Sequence, residues 1–262
     1  MPALFQVDAF ASDVFTGNPA AVCPLDSWLP DDLLQKIARE NNLSETAFIV
    51  KDDDGFQIRW FTPSTEVDLC GHATLASAHV LWEHLNYAKD EINFYSNSGE
   101  LKTRKNNGAI SMDFPSDSIE ASDEHYHELG CSLGKMPQET YKGKYDFLCV
   151  FESQEDLVKL SPDFHRLKNI QCRGVIVTAP GNNHDFVSRF FAPQSGVNED
   201  PVTGSAHTTL AVYWQKRLNK NELSALQISE RRGLVQCKLD GNRTHLFGSA
   251  KTYMVGQYCI PE

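Results

Sequence analysis

The 262-residue sequence has few of the patterns that identify membrane, zinc or disulfide-stabilised proteins. No apolar run approaches the roughly 20 residues needed to span a bilayer. The first ten residues read as a strand without the basic segment of a signal peptide. None of the seven cysteines forms a C-x-x-C pair, which argues against a zinc knuckle or a disulfide framework and favours a reducing compartment. We therefore expect a cytoplasmic protein that does not associate with membranes.

Positive charge is also scarce. Lysine and arginine number 24 against 35 acidic residues, a formal net charge of −11, which argues against an extended surface for nucleic acid or anionic lipid. A local basic spot beside a small acidic substrate remains compatible with this balance. The sequence contains no P-loop, dinucleotide fingerprint, G-x-S-x-G or H-E-x-x-H motif. The simplest interpretation is a site that uses neither a cofactor nor a metal ion.

One pattern occurs twice, about half a chain length apart. The aromatic segment Arg59–Pro63 leads to Cys70–Ala73, and the similar segment Arg189–Pro193 leads to Thr203–Ala206. In each copy a strand ends at a proline, a polar loop follows, and a glycine opens a run of small residues. Self-similarity over such a period predicts duplicated architecture.

The glycine in each copy predicts the start of a buried central helix, over residues 71–85 and 204–217. In the second copy, Thr203 or a neighbour would cap the helix, and Gly204 would let a ligand approach unpaired first-turn amides. Elsewhere we predict a helix over 30–41. Residues 115–144 are the best linker candidate, with a helix over 119–129.

Several residues admit two interpretations. Glu45, at a loop–strand junction, is either solvated or desolvated by its apolar neighbours, as a general acid/base requires. His72 and Ser205 stand at matching helix starts, where each would either bind a shared ligand or only cap and pack. Asp200 would hold a protonated partner, orient His72 or cap the helix. Cys70 precedes a helix start, which lowers a thiol pKa and favours a nucleophile or thiol base, yet its counterpart is a threonine.

Four segments together resemble the PhzF-like family, the relatives of the phenazine-biosynthesis isomerase. They are F-T-G-N-P-A-A-V (15–22), N-N-L-S-E-T-A-F (41–48), D-L-C-G-H-A-T-L-A (68–76) and E-D-P-V-T-G-S-A (199–206). The resemblance implies an α+β fold of two pseudo-symmetric, diaminopimelate-epimerase-like domains, each a curved, mostly antiparallel sheet around a central helix. We expect domains over 1–117 and 118–262, with the last strand free to return to the first. A homodimer with the site between the domains is also implied.

The resemblance also implies a role for each matched position. Glu45 would be the general acid/base, assisted by His72 and Asp200. The groups that would bind a small, carboxylate-bearing substrate are Asn18, Gly71, His72, Gly204 and Ser205. The implied function is a cofactor-independent isomerase that moves a proton between carbons of a small, carboxylate-bearing metabolite, of which a cyclic amino acid is one candidate. Two alternatives stay open: a catalytically silent binding or interaction protein of the same fold, and a hydrolase that uses Cys70 with His72.

Overall fold

Two buried helices, Gly71–Glu83 and Gly204–Leu218, each pack within one half of the chain. The computed structural model describes residues 1–260 and divides into two units. The N-terminal unit contains Met1–Asp113 and the segment that begins at Phe247. The C-terminal unit contains Phe114–Leu246.

The elements of the N-terminal half come first in the chain. They are β1 (Ala3–Ala9), β2 (Asn18–Leu25), α1 (Asp31–Asn41), β3 (Glu45–Lys51), β4 (Phe56–Phe61), β5 (Glu66–Val67), α2 (Gly71–Glu83), β6 (Glu91–Ser96), β7 (Gly99–Asn106) and β8 (Ala109–Pro115). The elements that follow are β9 (Glu120–Ala121), α3 (Tyr126–Leu133), β10 (Glu139–Lys142), β11 (Asp146–Val150), α4 (Gln154–Lys159), α5 (Phe164–Leu167), β12 (Gly174–Pro180), β13 (Phe186–Phe191), a 3₁₀ turn (Pro193–Ser195), α6 (Gly204–Leu218), β14 (Glu222–Gln227), β15 (Gly233–Asp240), β16 (Arg243–Gly248) and β17 (Ala250–Gln257).

Strand pairing follows the same order in both units. In the N-terminal unit, β1 pairs antiparallel with β2, β2 parallel with β3, β3 antiparallel with β4, β4 parallel with β6, and β6 antiparallel with β7. In the C-terminal unit, β10 pairs antiparallel with β11, β11 parallel with β12, β12 antiparallel with β13, β13 parallel with β14, and β14 antiparallel with β15. This repeated order confirms the prediction of duplicated, mostly antiparallel α+β architecture.

The central helices are buried because their side chains are small or apolar on nearly every face. In α2, Ala73, Ala76 and Ala78 are fully buried, and the helix packs on β1, β2, β3 and β17. In α6, Leu210 and Ala211 are fully buried, and the helix packs on β11, β14 and β15. Both predicted helices begin at the expected glycine. Within residues 1–260, no helix is both long and apolar enough to cross a bilayer.

A partly buried pair of arginine and glutamate recurs at the two repeated aromatic strands, and the arginine forms a fork of two hydrogen bonds. Arg59 on β4 donates from Nε and Nη2 to the Glu66 carboxylate at 2.7 Å each. Arg189 on β13 makes the same pair of bonds to Glu199, at 2.8 Å each. Each guanidinium also lies over a phenylalanine ring of its own strand. The fork ties the strand to the polar loop that leads to the central helix, so it fixes the path of the chain before each helix start.

The linker and helix predictions for residues 115–144 are wrong. Residues 120–121 instead form β9, because they pair with Lys142 and Tyr141 of β10. The helix of this segment, α3, begins at Tyr126, after His125 adopts a left-handed backbone conformation with φ of 59°. It ends at Gly134, with φ of 81°. Polar composition alone did not distinguish a solvent-facing edge of the sheet from a linker.

Candidate functional site

Three elements of the N-terminal unit bring the first group of predicted site residues together. Asn18 begins β2 and Glu45 begins β3. These strands run parallel, with Ala20 opposite Glu45, so their N-terminal ends lie side by side. His72 is the second residue of α2, which packs on both strands. The fold therefore places these three side chains at one end of the sheet.

The His72 imidazole contacts a different group at each of its nitrogens. Its Nε2 lies 3.1 Å from Glu45 Oε2. Its Nδ1 lies 3.3 Å from Asn18 Nδ2 and 3.6 Å from Cys70 Sγ. Asn18, Cys70 and His72 are buried, whereas the Glu45 side chain remains 19% exposed. The carboxylate is thus the member of the group that a ligand reaches most readily.

The charges in this group shift two pKa values upward. Burial lowers the pKa of His72, but the neighbouring Cys70 sulfur and Glu45 carboxylate outweigh it, and the net pKa is well above the ordinary value. Burial and the Glu45 carboxylate raise the pKa of Cys70, although His72 opposes the shift. The expectation that the helix start lowers the Cys70 pKa is therefore wrong, because desolvation of the thiolate dominates. Because the raised pKa keeps Cys70 a thiol near neutral pH, its sulfur acts on His72 there only through the contact at 3.6 Å, and the Glu45 carboxylate supplies the charge.

The start of α2 leaves backbone donors available. Cys70 is its N-cap residue, with extended backbone, and no side chain within the described residues caps this end. The first amides of a helix lack acceptors inside it and lie at the positive end of the helix dipole. The amides of Gly71 and His72 are thus suited to an anion. The structure places Gly71 directly beside the group formed with Glu45.

The second group of predicted residues lies at the start of α6 in the C-terminal unit. The Thr203 amide donates to Gln227 Oε1 at 2.9 Å, and Gln227 Nε2 donates to the Asp200 carbonyl at 2.7 Å. The Thr203 hydroxyl donates to the Asp200 carboxylate. Gln227, at the end of β14, therefore holds the loop in place. Thr203 is the N-cap residue of α6 but its side chain does not cap the helix, because the hydroxyl is engaged by Asp200.

Two charged residues near Ser205, Arg173 and Asp146, were not among the residues predicted from the sequence. Arg173 Nη1 donates to Ser205 Oγ at 3.0 Å. Arg173 also donates to the carboxylate of Asp146, from Nε at 2.9 Å and from Nη2. Burial raises the pKa of Asp146, and Arg173 only partly offsets this rise. No local motif marks either residue, since the contact joins positions far apart in the sequence. Their position at the ends of paired strands is the only available signal.

The first group contains three side chains that could bind a metal ion, but these side chains are not specific to metal binding. One donor atom each from Glu45, Cys70 and His72 lies within 4.8 Å of the others. A carboxylate, a thiolate and an imidazole form a ligand set that transition metals accept. The same three groups also serve proton transfer. The expectation of a metal-free and cofactor-free site stays a prediction.

Comparison with known proteins gives matches over nearly the whole chain. The family model described as phenazine biosynthesis-like protein (PhzC-PhzF) matches residues 7–257. An uncharacterized isomerase of Pseudomonas aeruginosa is 52% identical over 255 residues, covering 97% of each chain. A crystal structure of a phenazine biosynthesis protein of the PhzF family from Enterococcus faecalis is 46% identical, covers 99% of each chain and superimposes with a TM-score of 0.96.

A more distant likeness concerns the fold alone. The structure of a hydroxyproline epimerase from Agrobacterium vitis superimposes with a TM-score of 0.61 at 12% identity, covering 97% of this chain and 91% of that one. Identity this low carries no information about substrate. The likeness confirms the predicted epimerase-like fold class.

Proposed function

The chain belongs to the phenazine biosynthesis-like (PhzC-PhzF) family, and on that premise we propose that it is a cofactor-independent isomerase of a small carboxylate-bearing metabolite. Family membership and the isomerase name of a close relative confirm the predicted enzyme class. The finer proposal is a proton shift between two carbons of the substrate. A cyclic amino acid is the kind of metabolite that we expect.

The observation that carries this proposal is the contact between Glu45 and His72. A partly exposed carboxylate lies 3.1 Å from an imidazole whose pKa is raised, so a positive charge is available to orient it and to balance its negative charge. In the proposed reaction, Glu45 as carboxylate removes a proton from a carbon next to a carbonyl or double bond. The electron pair moves into that system, and Glu45 as acid then returns the proton to another carbon.

Substrate binding is assigned to the two helix starts. The first-turn amides at Gly71–His72 and at Gly204–Ser205 are proposed to hold carboxylate oxygens and the negative charge that develops during proton transfer. Asn18 and Asp200 are proposed to contact the polar groups of the substrate, and Asp200 also to assist proton transfer. Support for this assignment comes from the first-turn backbone amides, which have no acceptor inside their helix, and from the resemblance of the four segments to the PhzF-like family.

Solvent-deuterium exchange tests the proposal. The protein is incubated in D₂O with a panel of small unsaturated and cyclic carboxylates, and deuterium incorporation at carbon is followed by NMR and mass spectrometry. The Glu45→Gln variant should lose exchange by at least about a hundredfold while still binding, since a general base contributes on that order. Glu83→Gln, an exposed glutamate at the end of α2, is the matched control.

The outcomes separate the proposed isomerase from the silent binding protein. Exchange in the wild type that disappears only in Glu45→Gln supports the isomerase. Exchange that survives in Glu45→Gln contradicts the assignment of the base. Binding of panel members without exchange in the wild type favours the binding protein instead.

A further inference from the structure

Each half of the chain places polar or charged side chains where two parallel strands begin beside a central helix. In the N-terminal unit they are Asn18 at the start of β2, Glu45 at the start of β3 and His72 in the first turn of α2. In the C-terminal unit they are Asp146 at the start of β11, Arg173 directly before β12 and Ser205 in the first turn of α6. Thr46 pairs with Phe61, and Val175 pairs with the matching Phe191, so the strand register makes Gly174 the counterpart of Glu45. Arg173 lies one residue before that position.

The guanidinium of Arg173 is held rigidly. Asp146, only 3% exposed, accepts hydrogen bonds from Nε and Nη2, which fixes the plane of the guanidinium. The rings of Tyr145 and Phe190 lie 5.5 Å and 5.7 Å from its central carbon. The remaining nitrogen, Nη1, donates to Ser205 Oγ at 3.0 Å.

This contact fixes the direction in which the Ser205 hydroxyl can donate. A guanidinium has only donors, so the serine oxygen accepts from Arg173 and its own proton points elsewhere. Among the described residues, Arg173 is the hydrogen-bond partner recorded for this hydroxyl. The proton of this partly exposed hydroxyl is therefore available to a ligand, and a carboxylate or a developing oxyanion is an acceptor without donors.

We propose that Arg173 is a positioning residue that makes the Ser205 hydroxyl a dedicated donor to a carboxylate or oxyanion oxygen of the substrate. The proposal rests on the proposed function and deepens it, because it names the chemical group that Ser205 recognises. Asp146 neutralises the charge of Arg173, so the preference for the anion arises from the direction of the hydroxyl rather than from net charge.

The test uses two small probes of similar shape, L-proline with a carboxylate and L-prolinamide with a neutral amide. Binding is followed by NMR through the backbone amides of Gly204 and Ser205. Arg173→Met and Ser205→Ala should each weaken proline binding about tenfold, as expected when one charge-assisted hydrogen bond is lost. Binding of prolinamide should weaken only about threefold, because a hydrogen bond to a neutral acceptor is about half as strong as one to a carboxylate.

A double-mutant cycle separates positioning from mere structural support. If Arg173 acts through Ser205, the double variant should bind proline no more weakly than either single variant. Arg173→Lys, which retains one donor, should recover part of the affinity. Arg217→Met removes a comparable ion-paired arginine from α6 and should leave proline binding unchanged. A cooperative thermal transition well above the temperature of the titration shows that each variant is folded.

Three results overturn the proposal. They are unchanged proline binding in Arg173→Met, losses of binding free energy that add in the double variant, and no preference of the wild type for proline over prolinamide. The titration measures binding alone and requires no turnover. Failure of the proposed isomerase chemistry therefore appears only in deuterium exchange, and failure of this inference only in the titration.

Discussion

The pKa of His72 provides a direct test of the charge arrangement around Glu45. The two side chains are 3.1 Å apart. At that distance a carboxylate and an imidazolium attract each other by about 5 kcal/mol at an effective dielectric constant near 20. Desolvation of both groups and the partial exposure of Glu45 oppose this attraction. Replacing Glu45 with glutamine keeps the shape but removes the charge, so the pKa of His72 should fall.

The assay is an NMR titration of the His72 ring protons in the wild type and three variants. Glu45→Gln should lower the pKa of His72, whereas the control Glu83→Gln should leave it unchanged. Cys70→Ala should have only a small effect, because burial raises the pKa of Cys70 and keeps it an uncharged thiol near neutral pH. If Cys70→Ala lowers the pKa of His72 as much as Glu45→Gln does, the charge comes from a thiolate and the reasoning fails.

The same interaction makes the stability of the protein depend on pH. Because the pKa of His72 is raised in the folded state, its protonation stabilises the fold fully below the unfolded-state pKa, about 6.5. That contribution is lost as the pH rises through the folded-state pKa. Glu45→Gln should therefore reduce stability most at mildly acidic pH, by about 3 kcal/mol, and less as the pH rises.

Three further predictions concern other parts of the structure. Iodoacetamide should modify Cys70 much more slowly than the exposed Cys131 near neutral pH, and the Cys70→Ala variant should keep substantial turnover. Rapid labelling of Cys70 or complete loss of turnover would favour thiol chemistry. Arg59→Met and Arg189→Met should each lower the free energy of unfolding by about 2 kcal/mol in urea titrations, since each leaves a half-buried glutamate without its fork; near-zero losses would show that the forks contribute little. Gly17→Ala should cost more than about 2 kcal/mol by the same assay, because an added Cβ would lie 2.2 Å from the Ala9 carbonyl oxygen at a φ of 71°; a neutral result would mean that the turn relaxes.

Local patterns in the sequence predict the helix starts but not the contacts between distant residues. Gly71 and Gly204 each open a run of small residues, and both helices begin there, because that composition suits a helix buried on most faces. The contact of Glu45 with His72 depends on the parallel pairing of β2 and β3, which no local pattern specifies. The resemblance to a known family supplied the pair instead.

Arg173 and Asp146 show the limit of this approach. Neither belongs to the four family-like segments, and each looks like an ordinary charged residue beside a strand. Their function as a fixed pair depends on which strands become parallel neighbours, and on the burial of Asp146. The predicted helix over 119–129 was wrong for a related reason, since a short edge strand is defined by its partner and not by its own composition.

The difference between the two halves bears on the type of isomerisation. A two-base racemase needs an acid/base group on each face of the reacting carbon. At the positions equivalent to Cys70 and Glu45, the second half carries Thr203 and Gly174, and neither has a side chain that exchanges a proton near neutral pH. Duplication of the fold has therefore not duplicated the proposed base, Glu45. A single carboxylate that removes and returns the proton favours its transfer between carbons on one face of the substrate, rather than inversion at one carbon.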